Sequence, residues 1–498
     1  MGERIEEECG VAAVYMKNRT ENSGYVPHAL NLMLEALQHR GQTGTGITIY
    51  HEHNGASGKT FRHRKKTSSA AEFFGLEGVD EFYNGISGLG HVRYGTSGDR
   101  EESSDSTQPF YRRHGENSKR FAIAYNGNIA NYNELRQQFA AQHFDLETEV
   151  DTEVLMHLLS KSLDAREGYS NDNAREIWEE VCNSVDGAYS IATLLDNGVL
   201  NILRDPQGFK PLVYGETEEC YAFASETVAL KQLGITQFNS VEPGNLVVVE
   251  DNDLKFEKIN EAARAHCHFE YVYFMNKASH FEGESVFSIR QNLGRALAEK
   301  EPLAEDLKAH PGDYVIVPVP ESAIPAAEAF AYHFNAPYMS ALDRINPKRG
   351  FINAEKKRDR IMSSKYQIIP EVVDGKKVIL IDDSIVRSET LKKVISLFRG
   401  GGNPSEVHVR VTEPPIKHPC FYGVDFASFN ELIANVDTNG RQLEDVVAQR
   451  IDADSFVFMD IDRLGSAVEM NPEDICNACL TGNYPTPFGN VRADEMRE

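Results

Sequence analysis

Two hydrophobic patterns divide this chain of 498 residues, and each limits the kind of sheet that its half can form. Up to about Glu250, short runs alternate apolar and polar residues, as half-buried strands do. Strands that pair around a few helices predict a layered α+β sandwich. The strand-like runs lie at 11–15, 46–50, 121–125, 189–194 and 245–249, and helical patterns lie at 27–39 and 151–163.

From about Phe269 the pattern changes to strand, turn and helix. This alternation predicts an α/β fold with a doubly wound parallel sheet, in which ligands bind at the carboxyl ends of the strands. A chain of this length suits two domains. The strand-like runs lie at 314–319, 377–381 and 406–412, and the helical runs lie at 326–334 and 389–398.

Charge and hydropathy exclude several classes of protein. A formal net charge of -25 argues against binding to nucleic acid, because phosphates would be repelled. No stretch approaches the ~18 consecutive apolar residues of a membrane helix. The first eight residues include four Glu and no apolar run, so they do not form a secretory signal. We therefore expect a soluble cytoplasmic protein that binds neither nucleic acid nor membranes.

Cys9 becomes a candidate nucleophile if it is the mature N-terminus. Its own α-amino group, with a pKa of about 7.7 to 8.0, could then deprotonate the thiol. Taken alone, a cysteine at the start of a strand is more often a small buried residue. However, the segments QHRGQ at 38–42, GHVRY at 90–94 and YNGN at 125–128 end strands or helices whose side chains could converge. This combination resembles the class II glutamine amidotransferases, which are N-terminal-nucleophile hydrolases with a four-layer sandwich.

The resemblance implies a role for each residue of the first site. Cys9 would attack the carboxamide of glutamine after removal of an eight-residue propeptide. The side chain of Asn126 and the backbone N–H of Gly127 would form the oxyanion hole. Arg93 and Asp151 would bind the α-carboxylate and the α-ammonium group of glutamine.

A pair of acids, Asp382 and Asp383, ends an apolar strand in the second half. Such a pair could hold a ribose and a hydrated Mg²⁺. A solvated acidic turn is the alternative in a chain with 76 acidic residues. The order of strand, two acids, turn and helix resembles the type I phosphoribosyltransferases. With VPVPES at 317–322 and FEYVYF at 269–274, the chain from Cys9 to about Pro485 resembles the glutamine phosphoribosylpyrophosphate amidotransferase family.

This family resemblance implies an activity and a set of ligands. The enzyme would transfer ammonia from glutamine to phosphoribosyl pyrophosphate, giving 5-phosphoribosylamine, glutamate and pyrophosphate in the first step of purine synthesis. Purine nucleotides would act as feedback inhibitors, and the chain would form a homo-oligomer, a tetramer or a dimer. Phosphoribosyl pyrophosphate would be bound by Glu321, Arg349, Arg387 and Thr390, and Mg²⁺ by Ser322, Asp382 and Asp383.

The resemblance also implies a division of the chain. It predicts a propeptide (1–8), a glutaminase domain (9–260), a phosphoribosyltransferase domain with a cluster-binding C-terminal segment (261–485), and a tail (486–498). We expect the tail to be disordered.

Three segments depart from the family pattern at the second site. The family's SIVRGTT is SIVRSET here, so that Ser388 and Glu389 occupy a loop that cradles a phosphate. Residues 275–279 and 343–352 also differ in type. The basic run from Arg344 to Lys365 would either close over the pyrophosphate or form a solvated helix. Two alternatives follow: a glutaminase that serves another acceptor, or a second domain that binds nucleotides only for regulation.

Four of the seven cysteines are candidate ligands of a metal centre. Cys476 and Cys479 have a common metal-ligand spacing, and Cys267 and Cys420 lie at predicted element ends. The surrounding segments resemble those that bind a 4Fe-4S cluster in one branch of the family. Four thiolates suit that cluster or structural zinc. We interpret the remaining Cys182 and Cys220 as inert buried thiols.

Overall fold

The computed structural model describes residues 9–19, 24–51, 61–75, 85–94, 106–112, 120–144, 146–344, 366–424 and 429–496. The expected propeptide lies outside these residues, and so does most of the basic run that contains Arg349.

The first half contains two antiparallel sheets. In spatial order, the seven-stranded sheet consists of Phe238–Ser240, Val213–Glu216, Cys220–Ala224, Gly10–Met16, Ser87–Arg93, Gly44–Tyr50 and Phe61–Lys66. The six-stranded sheet consists of Asp253–Lys258, Asn245–Glu250, Leu200–Arg204, Gly187–Leu195, Phe121–Ile129 and Phe110–Arg112.

The residue pattern of the strands explains how these sheets stack. In the strand Phe121–Ile129, Ala122 and Ala124 pack in the cluster between the two sheets. Phe121, Ile123 and Tyr125 point to the opposite face, where they pack with two helices. The helix Tyr25–Ala36 covers the other sheet. The result is the predicted four-layer sandwich. The two helices are Asp151–Ala165 and Ala174–Ser184.

The second half contains a four-stranded parallel sheet with helices on both faces, as the alternating pattern predicts. Its strands, in order, are Tyr314–Pro318, Lys377–Asp382, Glu406–Val411 and Ser455–Phe458. The helices Val286–Glu299 and Ile324–Phe334 pack on one face. The helices Glu389–Leu397 and Leu443–Ile451 pack on the other.

Shorter elements complete the described chain. The further helices are Ala70–Phe74, Tyr132–Ala141, Thr227–Lys231, Ala304–Ala309, Pro370–Val373, Ile461–Ala467 and Ala478–Thr481. Three small pairs of strands join His266–Cys267 to Ile475–Cys476, His280–Phe281 to Glu284–Ser285, and Leu342–Arg344 to Tyr366–Ile368. None of the helices in the described ranges is long and apolar enough to cross a membrane.

The C-terminal end differs from the expected disordered tail. Residues Pro487–Glu495 form a helix whose first turn is capped by the side chain of Thr486, which accepts from the backbone N–H of Gly489 at 3.2 Å. Arg492 Nε donates to the carbonyl of Ala130 at 3.0 Å. The prediction of disorder is therefore wrong up to residue 495, because the polar local sequence gave no sign of this distant contact.

Candidate active sites

Cys9 lies immediately before the strand Gly10–Met16, where its backbone is fixed from two sides. Its carbonyl accepts a hydrogen bond from Arg40 Nε at 3.2 Å, and two residues further on the N–H of Val11 donates to Ser225 Oγ at 3.0 Å. Burial raises the pKa of the Cys9 thiol, while the backbone N–H of Tyr94 and the cation of Arg93 oppose that rise. The thiol therefore requires a base before it can act as a nucleophile.

The predicted glutamine ligands Arg93 and Asp151 both act on the Cys9 thiol electrostatically. Asp151 begins its helix and accepts from the hydroxyl of Tyr125 at 2.9 Å and from the N–H of Ile129 at 3.3 Å. Burial raises the pKa of Asp151 to about 6, although these hydrogen bonds oppose the rise. The structure thus brings an opposite-charge pair to the nucleophile.

Asn126 and Gly127 lie on the strand Phe121–Ile129, and Asn126 is buried. Within the described part of the chain, Asn126 Nδ2 has no hydrogen-bond partner. A buried donor without a partner costs about 1–3 kcal/mol, and a ligand is one explanation for it. At Gly127, a Cβ atom would come 2.0 Å from the carbonyl oxygen of Ala188, so only glycine fits.

A buried charge network behind Cys9 was missed by the sequence analysis. Arg40 donates to Glu226 Oε1 at 2.8 Å and to Glu270 Oε1 at 2.9 Å, and all three side chains are buried. Glu226 also accepts from the Asn276 N–H at 2.9 Å and from Ser279 Oγ at 2.7 Å. The only signal in the sequence was a Glu within the apolar run FEYVYF, far from the Arg of QHRGQ.

The predicted Mg²⁺ ligands Ser322, Asp382 and Asp383 meet at the carboxyl end of the strand Lys377–Asp382. Ser322 Oγ donates to Asp383 Oδ2, and Ser384 Oγ donates to Asp383 Oδ1 at 2.6 Å. Burial raises the pKa of both acids, and the charge of Asp383 raises that of Asp382 further. Two adjacent buried carboxylates favour a cation or hydroxyl donors beside them.

The residues predicted to bind phosphoribosyl pyrophosphate are more widely spaced than the predicted Mg²⁺ ligands. Glu321 is exposed and precedes Ser322 in the chain. Arg387 forms an ion pair with Glu431 at 3.2 Å, and its buried Nε has no hydrogen-bond partner among the described residues. Thr390 is partly buried in the first turn of the helix Glu389–Leu397. Arg349 lies outside the described ranges.

The four candidate cluster cysteines converge from three separate segments. Cys267 and Cys476 are paired residues of two short parallel strands. Burial raises the pKa of the Cys479 thiol, and the charges of Cys420, Cys476 and Cys267 raise it further. Burial also raises the pKa values of the Cys267, Cys420 and Cys476 thiols, and the buried ammonium group of Lys210 opposes that rise. Among the residues that the structure describes, no three His, Cys, Asp or Glu side chains are arranged to hold a metal ion.

A buried pair, His268 and Glu413, joins the cysteines to the acid pair. His268 Nδ1 donates to the carbonyl of Cys476 at 2.8 Å, and Nε2 lies 2.6 Å from Glu413 Oε1. The backbone N–H of Glu413 donates to the carbonyl of Asp383 at 2.9 Å. Burial lowers the pKa of His268, but the charge of Glu413 raises it to a net value above the usual range.

Comparisons with known proteins cover both halves of the chain. A family described as "Glutamine amidotransferase domain" matches residues 96–232. The amidophosphoribosyltransferase of Methanothermobacter thermautotrophicus is 32% identical over 487 residues, which cover 97% of this chain and 96% of that protein. The amidophosphoribosyltransferase of Bacillus subtilis is 32% identical over 489 residues, with 97% and 95% covered.

Solved structures agree over the same length. The glutamine phosphoribosylpyrophosphate amidotransferase from B. subtilis, complexed with ADP and GMP, superposes with a TM-score of 0.81 at 30% identity. The superposition covers 96% of this chain and 98% of that one. A structure described as the allosteric regulatory enzyme of purine biosynthesis also has a TM-score of 0.81, at 31% identity.

Proposed function

The chain belongs to the amidophosphoribosyltransferase family, and we propose which of its residues carry out the reaction of that family. It is an enzyme that transfers ammonia from glutamine to phosphoribosyl pyrophosphate in the first step of purine synthesis. The observation that carries this conclusion is the near-complete coverage of the relatives, which includes both the glutaminase half and the phosphoribosyl half. The coverage argues against both alternatives that the altered phosphate loop left open.

In the glutaminase half, Cys9 attacks the carboxamide after the residues before it have been removed. The newly exposed α-amino group takes the thiol proton, which the raised pKa of Cys9 makes necessary. Asn126 Nδ2 and the Gly127 N–H then donate to the oxyanion. Support comes from the buried amide of Asn126, which lacks a partner among the described residues. Each such donor is worth about 10²–10³ in kcat.

Arg93 and Asp151 bind the two charged groups of glutamine. Arg93 binds the α-carboxylate, and Asp151 binds the α-ammonium group. Both already act on the Cys9 thiol, which supports a substrate held beside the nucleophile. Because the pKa of Asp151 is about 6 without substrate, the carboxylate is ionised at neutral pH, as this role requires.

In the phosphoribosyl half, Ser322, Asp382 and Asp383 hold Mg²⁺, and Glu321, Arg349, Arg387 and Thr390 bind phosphoribosyl pyrophosphate. The two buried acids with raised pKa values support a site for a cation and for ribose hydroxyls. The metal would neutralise charge on the departing pyrophosphate. Glu389 does not contradict this role, because its side chain is exposed and stabilises the N-terminus of its own helix.

Cys267, Cys420, Cys476 and Cys479 hold a 4Fe-4S cluster. Support comes from the convergence of one buried and three partly buried thiols beside the ammonium group of Lys210, which offsets thiolate charge. The cluster would cross-link the C-terminal segment to the second domain.

We include in the proposal the division at residues 9–260 and 261–485, a cytoplasmic location, a homo-oligomer and regulation by purine nucleotides. The related B. subtilis structure, which contains ADP and GMP, supports that regulation.

The test follows glutamate and pyrophosphate together in one reaction with glutamine, Mg²⁺ and phosphoribosyl pyrophosphate. The proposal predicts equal release of both products, and little glutamate when phosphoribosyl pyrophosphate is omitted. Replacement of glutamine by ammonium chloride serves as the control, because it tests the second site without the first. Glutamate release without pyrophosphate in the complete reaction would contradict the proposed second site.

A further inference from the structure

The strand that carries Asn126 and Gly127 is contacted by a segment from the far end of the chain. This segment, which we name the Cys420 segment, comprises residues 420–423. The side-chain amide of Asn128 donates to the carbonyl of Phe421 at 2.9 Å, across 293 positions of sequence. A Cβ atom at Gly423 would lie 3.6 Å from the carbonyl carbon of Gly127. The segment therefore lies directly against the proposed oxyanion hole.

The Cys420 segment is itself held firmly. The ring of Tyr422 stacks on Phe209 with 4.2 Å between the centroids and 16° between the planes. The hydroxyl of Tyr422 is hydrogen-bonded to Thr486 Oγ1 at 3.0 Å, and the backbone N–H of Tyr422 donates to Cys420 Sγ at 3.3 Å. Because Tyr422 is held by Phe209, Thr486 and Cys420, the Cys420 segment can fix the position of a side chain that binds to it.

The strand Phe121–Ile129 needs such a support at its C-terminal end, where it carries Asn126 and Gly127. The strand Phe110–Arg112 pairs with it only along Phe121 to Ile123. Beyond that point, Gly127 and Asn128 have a strand partner on one side only among the described residues, where they pair with Tyr189 and Ala188. The other side is therefore fixed by side-chain contacts, and the amide of Asn128 supplies one of them.

We propose that Asn128 is a positioning residue for glutamine hydrolysis, and that it holds Asn126 and Gly127 in place by binding the carbonyl of Phe421. This inference rests on the proposed roles of Asn126 and Gly127. Asn128 shares a strand face with Asn126 and is the next residue after Gly127. A shift of the Asn128 side chain therefore moves both oxyanion donors, Asn126 Nδ2 and the Gly127 N–H. Oxyanion donors work only at about 2.7–3.1 Å from the developing charge.

The expected effect lies in kcat rather than in KM. The oxyanion forms only during reaction, so a displaced donor weakens transition-state binding and leaves glutamine binding unchanged. A misplacement of about 1 Å can reduce a rate ~10²-fold. We therefore expect the glutamine-dependent kcat to fall about 10- to 100-fold, with KM changed less than about twofold.

The test compares Asn128→Ala and Asn128→Asp with the unchanged enzyme. Asn128→Asp keeps the shape but cannot donate to a carbonyl. Synthesis from ammonia and alkylation of Cys9 by iodoacetamide should both be unchanged, because neither forms the oxyanion. The matched control is Asn435→Ala, which removes an amide that donates to two carbonyls at 2.9 Å, those of Lys417 and Phe429, within the second half. This control should behave as the unchanged enzyme does.

Three outcomes would overturn the inference. Equal loss of glutamine-dependent and ammonia-dependent synthesis would mean a general loss of structure. A higher KM at unchanged kcat would mean that Asn128 binds glutamine, and wild-type kinetics would mean that it positions nothing. Asn126→Ala separates this failure from failure of the proposed function. If Asn126→Ala retains its glutamine-dependent kcat, the proposed oxyanion hole is wrong, whereas loss there without loss in Asn128→Ala overturns only the role of Asn128.

Discussion

The glutaminase half and the phosphoribosyl half hold their reacting groups in different ways. In the first, Cys9, Arg93 and Asn126 lie at or beside strands of two stacked sheets. In the second, Asp382 ends a strand, while Arg387 and Thr390 follow on the connection and the helix start. Rigid strands fix the first set before substrate arrives, whereas the second set depends on connecting segments.

The two halves also differ in how the protein compensates the buried charges near each site. Behind Cys9, the cation of Arg40 is already paired with the buried acids Glu226 and Glu270. At the second site, Asp382 and Asp383 are buried side by side and their pKa values are raised. The buried charges behind Cys9 are therefore largely compensated by the protein itself. At the second site the cation of Arg290 only opposes the rise in the pKa of Asp383, so charge remains for the ligands to compensate. Four experiments test this difference between the two halves.

Of these four experiments, the largest effect is expected at the acid pair. Asp383→Asn removes a charge that the proposed Mg²⁺ needs, and metal ions contribute several kcal/mol to such reactions, so synthesis should fall about 10³-fold or more. The loss should be equal with glutamine and with ammonia, because both use the second site. Initial rates with each donor provide the measurement. Loss with glutamine alone would contradict the proposed difference between the halves, because Asp383 would then act in the first site.

The next effect is confined to the first site. Asn126→Ala removes one oxyanion donor, and the glutamine-dependent kcat should fall about 10²–10³-fold. Synthesis from ammonia should not change. Asn126→Asp is the companion variant, because it fills the same space without a donor and should be equally slow. Normal rates in either variant would contradict the assignment of the oxyanion hole.

The third effect concerns stability. Arg40→Met leaves the buried Glu270 without its cation and leaves Glu226 with only His39, at 2.7 Å, as an ionisable partner. This change should lower the free energy of unfolding of the first half by about 3–5 kcal/mol. Denaturant titration with a probe in that half measures this change. Arg166→Met is the control, because it breaks a more exposed pair with Glu180 and should cost about 1 kcal/mol or less. Similar losses in both variants would show that the Arg40 network does not support the first site.

The smallest effect is a pH dependence of glutamine binding. Asp151 must be ionised to bind an ammonium group, and its pKa is about 6 without substrate. The dissociation constant for glutamine should therefore be flat above that pH and rise about tenfold per unit below it. Protection of Cys9 from alkylation measures binding. Asp151→Asn should bind weakly at every pH, and a variant with the unchanged pH profile would exclude Asp151 as the titrating group.

The sequence predicts the fold well in segments where the spacing of apolar residues follows a single period, either that of a strand or that of a helix. The run 377–381 was predicted as a strand and is Lys377–Asp382, and 151–163 was predicted as a helix and is Asp151–Ala165. Apolar periodicity sets both elements locally. The helix Pro487–Glu495 escaped prediction because its stabilising contacts, such as Arg492 with Ala130, come from more than 300 residues away.

The candidate sites show the same limit. Cys9, the acid pair and the CxxC spacing of Cys476 and Cys479 are visible as local motifs, although the roles of Asn126 and Gly127 came from family resemblance. Contacts between distant segments are not visible, because a hydrogen bond such as that of Asn128 with Phe421 leaves no periodic trace in either segment. The role of Arg349 stays a prediction, since that residue lies outside the described ranges.

Two separate sites on one chain are proposed to divide the reaction, and the variant Cys9→Ala distinguishes one site from the other. The measurement compares phosphoribosylamine synthesis by this variant with glutamine and with ammonia as the nitrogen donor. We expect a loss of about 10⁴-fold or more with glutamine, because the nucleophile is gone, and an unchanged rate with ammonia. Loss of both activities, or survival of the glutamine-dependent rate, would contradict it.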